Sequence, residues 1–537
     1  MTIRAIRMVL VLLATIGLSP ALAQAAAEAV AAPVARDDLG KVHFATSCQP
    51  AVEKEFDQAM VFLYAFWAKD AIAGFRAVLQ QDPDCVMAYW GIAIALQQNP
   101  LTAQEPGAEA AREALAGLDA AKRIGAKTQR EADYLAAVDL IYRDADKIDF
   151  PTRRRAYEKA MEALAQRYPG DSEAQVFYAL SLDMTALLTD RTYANQLKAA
   201  AILERILAQQ PDHPGVAHYL IHSYDYPPIA ERGLAAAHLY AQLAPDHPHA
   251  LHMPSHIFTR LGMWRDSIDS NVRSAAAAKV EGNGQEEAHA MDYLVYAYLQ
   301  LGQDAQTQRV VAESMSLAVN PAVFIGPYAL AAMPARYAVE RGAWAEAVAL
   351  QVRTTKFSFP DAITHYARGL GFVHLNDLAS AAQESTQLAG LRDALAERKD
   401  TYWSNQVEVQ RLGVDAWIAF ARGNRDEALK SMRAAADLED SMEKHIVTPG
   451  AIVPARELLG DMLRDAGRPA EALAAYEASA KREPLRLRGL YGSAKSAAAA
   501  GDRERARAYY EKLASLANGT TATRSEFLEA KAYLAQQ

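Results

Sequence analysis

Two stretches of the chain, PDHPGVAHYLIHSYDYPP at residues 211–228 and PDHPHALHMPSHIFTRLG at residues 245–262, align with an offset of 34. His213, His218 and His222 fall on His247, His252 and His256, in a protein with only 13 histidines. His218/His222 and His252/His256 are i, i+4 pairs, which a helix stacks one turn apart on a single face. His249 joins His252 and His256 within an arc of roughly 60° at 100° per residue. Farther along, His289, Asp292 and Tyr296 repeat the spacing of His249, His252 and His256.

Imidazole nitrogen is a borderline ligand suited to zinc, copper, iron or nickel, and i, i+4 pairs commonly converge on one ion. His218, His222, His252 and His256 are therefore expected to act as one transition-metal unit, with His249, His289 and Asp292 as further ligands. Pro254, inside HMPSH, removes a backbone donor and kinks a helix, which displaces His249 relative to His256. Two plainer readings stay open: histidines that bind a ligand or move protons without metal, and a structural polar network copied by duplication. His213 and His247, each just before a proline, are expected to be cap or turn residues in connecting loops. If a bound metal keeps an open position, Asp225, Glu286 or Asp292 could serve as acid or base. Nucleophile, phosphate-loop, H-E-x-x-H and dinucleotide motifs are absent from the sequence.

The elements that must position these residues follow a period. In ARELLGDMLRDAGRPAEALAAYEASAKREP, Gly460, Gly467, Ala472, Tyr476 and Pro484 mark an antiparallel helix pair, and Gly501, Ala506 and Tyr510 recur 34 residues after Gly467, Ala472 and Tyr476. Ala71, Phe75 and Pro83 show the same grammar near the other end, and Gly262, Gly302, Gly342 and Gly423 mark further turns. Glycine ends a first helix by accepting a left-handed conformation, a small residue lets the two helices approach, and proline ends the second. The pattern resembles the tetratricopeptide repeat family over most of the chain, loosening over Thr102–Leu207. The histidine segment also resembles that of exported bacterial repeat proteins, from which no activity carries over.

The resemblance implies an all-α fold, a right-handed α-solenoid of helix-turn-helix repeats whose first helices line a concave groove. It implies that the histidines face that groove, where later units carry Ala332, Arg336, Gly413 and Trp417 instead. It also puts Glu457 and Asp461 on the groove side, with His445, Arg456 and Arg464 nearby, although a salt-bridged face explains such a strip equally. Tyr219, Tyr224, Tyr293 and Tyr296 could wall a pocket or simply fill the core.

Composition sets the frame. The chain has 537 residues, 51% apolar and 23% charged, and a net charge of −9. That balance suits a folded repeat array and disfavours a nucleic-acid surface, which needs clustered basic residues. Arg4 and Arg7 precede an apolar run ending in Ala21-Leu22-Ala23, the grammar of a secretory signal peptide cut before Gln24. Export, in bacterial style to the periplasm, is expected, with no span in the mature protein. In such a compartment the two cysteines, Cys48 and Cys85, are expected to form a disulfide; separate buried thiols or a shared metal are the alternatives. The expected organisation is a leader (1–23), a flexible start (24–42), N-terminal repeats (43–210), histidine-rich repeats (211–310) and C-terminal repeats (311–537). The function expected is an exported scaffold that holds a protein, peptide or small molecule in its groove and a transition metal on its histidines. A metal-dependent enzyme, hydrolytic with zinc or oxidative with copper or iron, and a metal-free scaffold are the alternatives.

Overall fold

The computed structural model describes residues 40–243, 247–519 and 523–536. The expected leader, its cleavage point and nearly all of the segment 24–42 lie outside them. Among the described residues there is no strand: helix follows helix from Glu53–Tyr64 to Ser525–Ala535. No helix there is long and apolar enough to cross a membrane.

Consecutive helices pack as pairs, and the first helices of neighbouring pairs pack on one another. The expected turn glycines do this work: Gly262, Gly302, Gly342, Gly423, Gly467 and Gly501 all have φ between +63° and +86°, a region that costs a side chain with a Cβ. The small-residue positions are equally literal, because a Cβ on Gly460 would lie 2.7 Å from the Tyr476 ring. Tyr476 thereby enters the gap between its own helix and the one before it. The stretch whose register is loose in sequence continues the same construction, with helices Ala108–Ile124, Gln129–Tyr142, Phe150–Arg167, Ser172–Thr185 and Ala194–Leu207. The architecture is an all-α solenoid of helix pairs, as the sequence grammar predicts.

The solenoid winds tightly enough for distant turns to meet. The helix Glu53–Tyr64 packs on Pro214–Tyr224, and Gly284–Gln300 touches Leu487–Ala499. Trp264 Nε1 donates to the Leu485 carbonyl at 2.8 Å. The non-helical segment 441–454 runs through the interior: the Glu443 amide donates to the Leu188 carbonyl at 2.8 Å, and Tyr193 donates to the Glu443 carboxylate at 2.7 Å. The groove that the repeat pattern implies is therefore filled, in front of the histidines, by the chain itself. Cys48 and Cys85 are joined in a disulfide.

Candidate metal centre

The histidine repeats fold as their caps dictate. His213 precedes Pro214 at the first turn of Pro214–Tyr224, and its Nδ1 accepts from the Val216 amide at 3.3 Å. His247 does the same for Ala250 at 3.2 Å, ahead of Pro248. Both are buried capping residues outside the two triads, although the His247 ring lies 6.3 Å from that of His249. Between His252 and His256 the helical hydrogen bonding is interrupted at Met253, which itself keeps helical dihedrals, so the helix is divided into Pro248–His252 and Pro254–Arg260. Proline opens the second piece, since it has no amide to donate back into the first.

Six further histidines of this region form two triads, while His238 stays apart with its ring 5.3 Å from Phe258. In the first, His218 Nε2 lies 3.2 Å from His222 Nε2 and 3.2 Å from His249 Nε2. In the second, His252 Nε2 lies 3.0 Å from His256 Nε2, with His289 completing the group. Within each triad one nitrogen from every ring lies within 4.8 Å of the other two. The triads touch, with the His222 and His256 ring centroids 5.8 Å apart and those of His249 and His252 6.3 Å apart. All six residues are between 0% and 8% exposed.

The far nitrogens decide the tautomers. His218 Nδ1 sits 2.7 Å from the Tyr64 carbonyl, which only accepts, so Nδ1 carries the proton and Nε2 a lone pair. His256 Nδ1 donates to Asp225 Oδ2 at 2.9 Å. His252 Nδ1 donates to Asn271 Oδ1 at 2.6 Å, and the Asn271 amide is oriented by its own 2.7 Å donation to the Ser267 carbonyl. His249 Nδ1 faces Glu286 Oε2 at 3.5 Å. His222 Nδ1 is buried without a hydrogen-bond partner. With both rings neutral, the second triad consequently sets two nitrogen lone pairs 3.0 Å apart.

The surroundings keep the imidazoles neutral. Burial, reinforced by neighbouring imidazoles, holds His218, His222 and His252 well below the usual range, and burial pushes His289 down to about 3. Burial also lowers His256, although Asp225 opposes it. Asp225 is itself buried; Lys444 and Arg260 overcome the desolvation and hold its carboxyl well below the ordinary carboxylate range. Arg260 Nε donates to Asp225 Oδ1 at 2.9 Å and Lys444 Nζ to Oδ2 at 3.0 Å. Aromatic rings close the walls: Tyr240 stacks on His218 at 5.0 Å, Phe66 lies 4.6 Å from His218, and Tyr293 lies 4.6 Å from His252. Phe66 adopts φ of +57°, a costly backbone state for an aromatic residue. The turn it makes leaves the Tyr64 carbonyl facing His218.

Other residues singled out in the sequence have different neighbours. Asp292 pairs with Arg336 at 3.1 Å, and Tyr296 donates to Glu483 at 2.6 Å. Glu457 pairs with Arg486 at 2.8 Å and Asp461 with Arg488 at 2.5 Å, so this strip is internally neutralised. His445 lies beneath Trp403, with ring centroids 5.2 Å apart. Asp225 and Glu286 do reach the triads, from behind the rings. Sequence reasoning missed Asn271, Lys444 and the Tyr64 carbonyl; only Lys444 lay in a stretch already singled out, beside His445.

No family model matches the chain, and no curated protein matches it. Among solved structures it is similar to a tetratricopeptide repeat protein from Parabacteroides merdae, at 16% identity over 54% of this chain and 97% of that chain, with a TM-score of 0.28. It is also similar to the APC/C hetero-tetramer Cut9-Hcn1, at 11% identity over 90% of each chain and a TM-score of 0.34. A human IFIT1 dimer with m7Gppp-AAAA is similar at 12% identity over 80% of this chain and 90% of that chain, with a TM-score of 0.34. The description of the fold rests on the helix pairs themselves.

Proposed function

We propose that the protein is an exported helical-repeat scaffold that binds transition-metal ions on its buried histidines, one ion per triad. The observation that carries this reading is the confrontation of imidazole lone pairs at the centre of the second triad. A cation between His252 and His256 turns that repulsion into two bonds. A proton is a poor substitute, because Arg260 and Lys444 already surround the neighbouring Asp225. With bonds of about 2.05 Å, nitrogens 3.0–3.2 Å apart subtend about 95–105° at one ion. Three such nitrogens cap one face and leave the opposite face open. Carbonyl, carboxamide and carboxylate acceptors on the far nitrogens are the usual means by which proteins fix ligating histidines.

Protein or peptide binding by the solenoid remains part of the proposal, at surfaces other than the groove filled by residues 441–454. The test is elemental analysis of protein purified from its native compartment, followed by titration of metal-stripped protein. Two equivalents per chain are expected. His218→Ala and His252→Ala should each remove one, whereas His213→Ala and His247→Ala should keep both. Absence of stoichiometric metal in the parent, or equal loss in all four variants, would refute the reading.

A further inference from the structure

Resting on the metal-binding proposal, we infer that the two triads hold two copper ions as one coupled centre that takes up dioxygen. Three features of the site point there together: the ligand set, the charge of the surroundings, and the closeness of the two triads.

Every inward-facing donor is a neutral imidazole. Asp225 and Glu286 meet the far nitrogens of His256 and His249, so neither triad offers the mixed histidine and carboxylate set that non-haem iron oxygenases use. Imidazole sets of this kind suit copper or zinc. Charge separates the two. Arg260 and Lys444 both pair with Asp225 while Glu286 meets only the His249 ring, so these four groups together carry no net negative charge to offset an added ion. The Born penalty for a buried ion rises with the square of its charge. Two cuprous ions place half the charge of two zinc ions in this aromatic pocket, and each is satisfied by three nitrogens.

The triads then supply what uptake of dioxygen requires. They share ring contacts at 5.8 Å and 6.3 Å, so the open faces of two capped ions lie close enough for one small molecule to bridge. Each cuprous ion gives up one electron and dioxygen accepts both, becoming peroxide held between two cupric ions. No proton and no outside reductant enter the step. The total charge of the cluster is the same before and after, so the buried surroundings need no compensating ion. Release of dioxygen reverses the transfer.

Burial closes the centre to bulk solvent. The six rings are nearly inaccessible, and the neighbouring cavity, lined among others by Tyr328, Trp403, Lys444, Thr448 and Gly450, has a volume of about 60 Å³. Lys444, in the wall of that cavity, also donates to the carboxylate that orients His256.

The test loads metal-stripped full-length protein with cuprous ion without oxygen, removes excess copper, and then admits oxygen. Expected are two coppers per chain, one dioxygen consumed per two coppers, an intense near-ultraviolet charge-transfer band, and little electron paramagnetic resonance signal because the two cupric spins couple. Removing oxygen should bleach the band. His222→Ala should retain one copper, lose the band and give an ordinary cupric resonance signal after oxidation. Two coppers that oxidise to uncoupled, resonance-active ions, or that do not react, would overturn the coupled centre while leaving metal binding intact. Failure to bind copper, with two zinc ions bound instead, would overturn the inference but not the metal proposal; failure to bind either would overturn both.

Discussion

Single residues set the chemistry by fixing which nitrogen carries the proton. Asn271 is the sharpest case, since its amide is locked by Ser267 and its oxygen receives His252 Nδ1. Asn271→Leu should therefore weaken the second ion by about 10–100-fold, the usual effect of losing such a partner, and leave the first ion unchanged. Competition against a chelator resolves the two equivalents; equal weakening of both would contradict the assignment. A second prediction concerns protons. His289 titrates at about 3 in the folded, metal-free protein against an ordinary 6.5, so its neutral form stabilises the fold fully above pH 6.5 and progressively less as pH falls toward 3. The stability difference between the parent and His289→Gln should therefore drop by about 1.4 kcal/mol per pH unit over that window. Urea unfolding at several pH values measures it, and a difference independent of pH would contradict the burial argument. The histidines themselves were legible from their 34-residue offset. Their grouping was not: His249 sits in sequence with His252 and His256 yet its ring lies against His218, a contact between helices that local spacing does not announce.

At the scale of elements, the repeat grammar carried most of the information. Turn glycines could be read because only a left-handed residue ends these helices, and every one named from sequence has positive φ. The caps were legible from the prolines that follow them, as His213 and His247 stand immediately before prolines at helix starts. The disulfide ties the start of the array to the N-cap of Val86–Ala95, closing a loop of 37 residues. A loop of that length contributes about 4 kcal/mol by restricting the unfolded chain. The Cys48→Ser, Cys85→Ser double variant should lose stability of that order while keeping its metal stoichiometry, as measured by denaturant unfolding and metal analysis. An unchanged midpoint would contradict the account of this staple.

For the whole molecule, the decisive feature was illegible in sequence. Residues 441–454 fill the interior through contacts such as Lys444 to Asp225, 219 residues apart, and no local period announces a segment of that kind. Arg336 anchors it: fully buried, it pairs with Asp292 and donates to the carbonyls of Gly450 at 2.8 Å and Ala451 at 2.5 Å. Arg336→Met should cost about 3–5 kcal/mol, because it strands a buried carboxylate. Adding Asp292→Leu should recover much of that loss. Equilibrium unfolding of the single and double variants tests this, and a single-variant loss under about 1 kcal/mol would mean that the segment is held by other contacts.

The central claim is that the fold builds two adjacent three-histidine metal sites from a duplicated helix and the helix that follows it. Anomalous diffraction from crystals of metal-loaded protein, collected above and below the absorption edge of the metal, tests it most directly. The account predicts two strong peaks per chain, one among His218, His222 and His249, the other among His252, His256 and His289. A single peak shared by His218, His222, His252 and His256, or peaks confined to exposed residues such as His43, would contradict it.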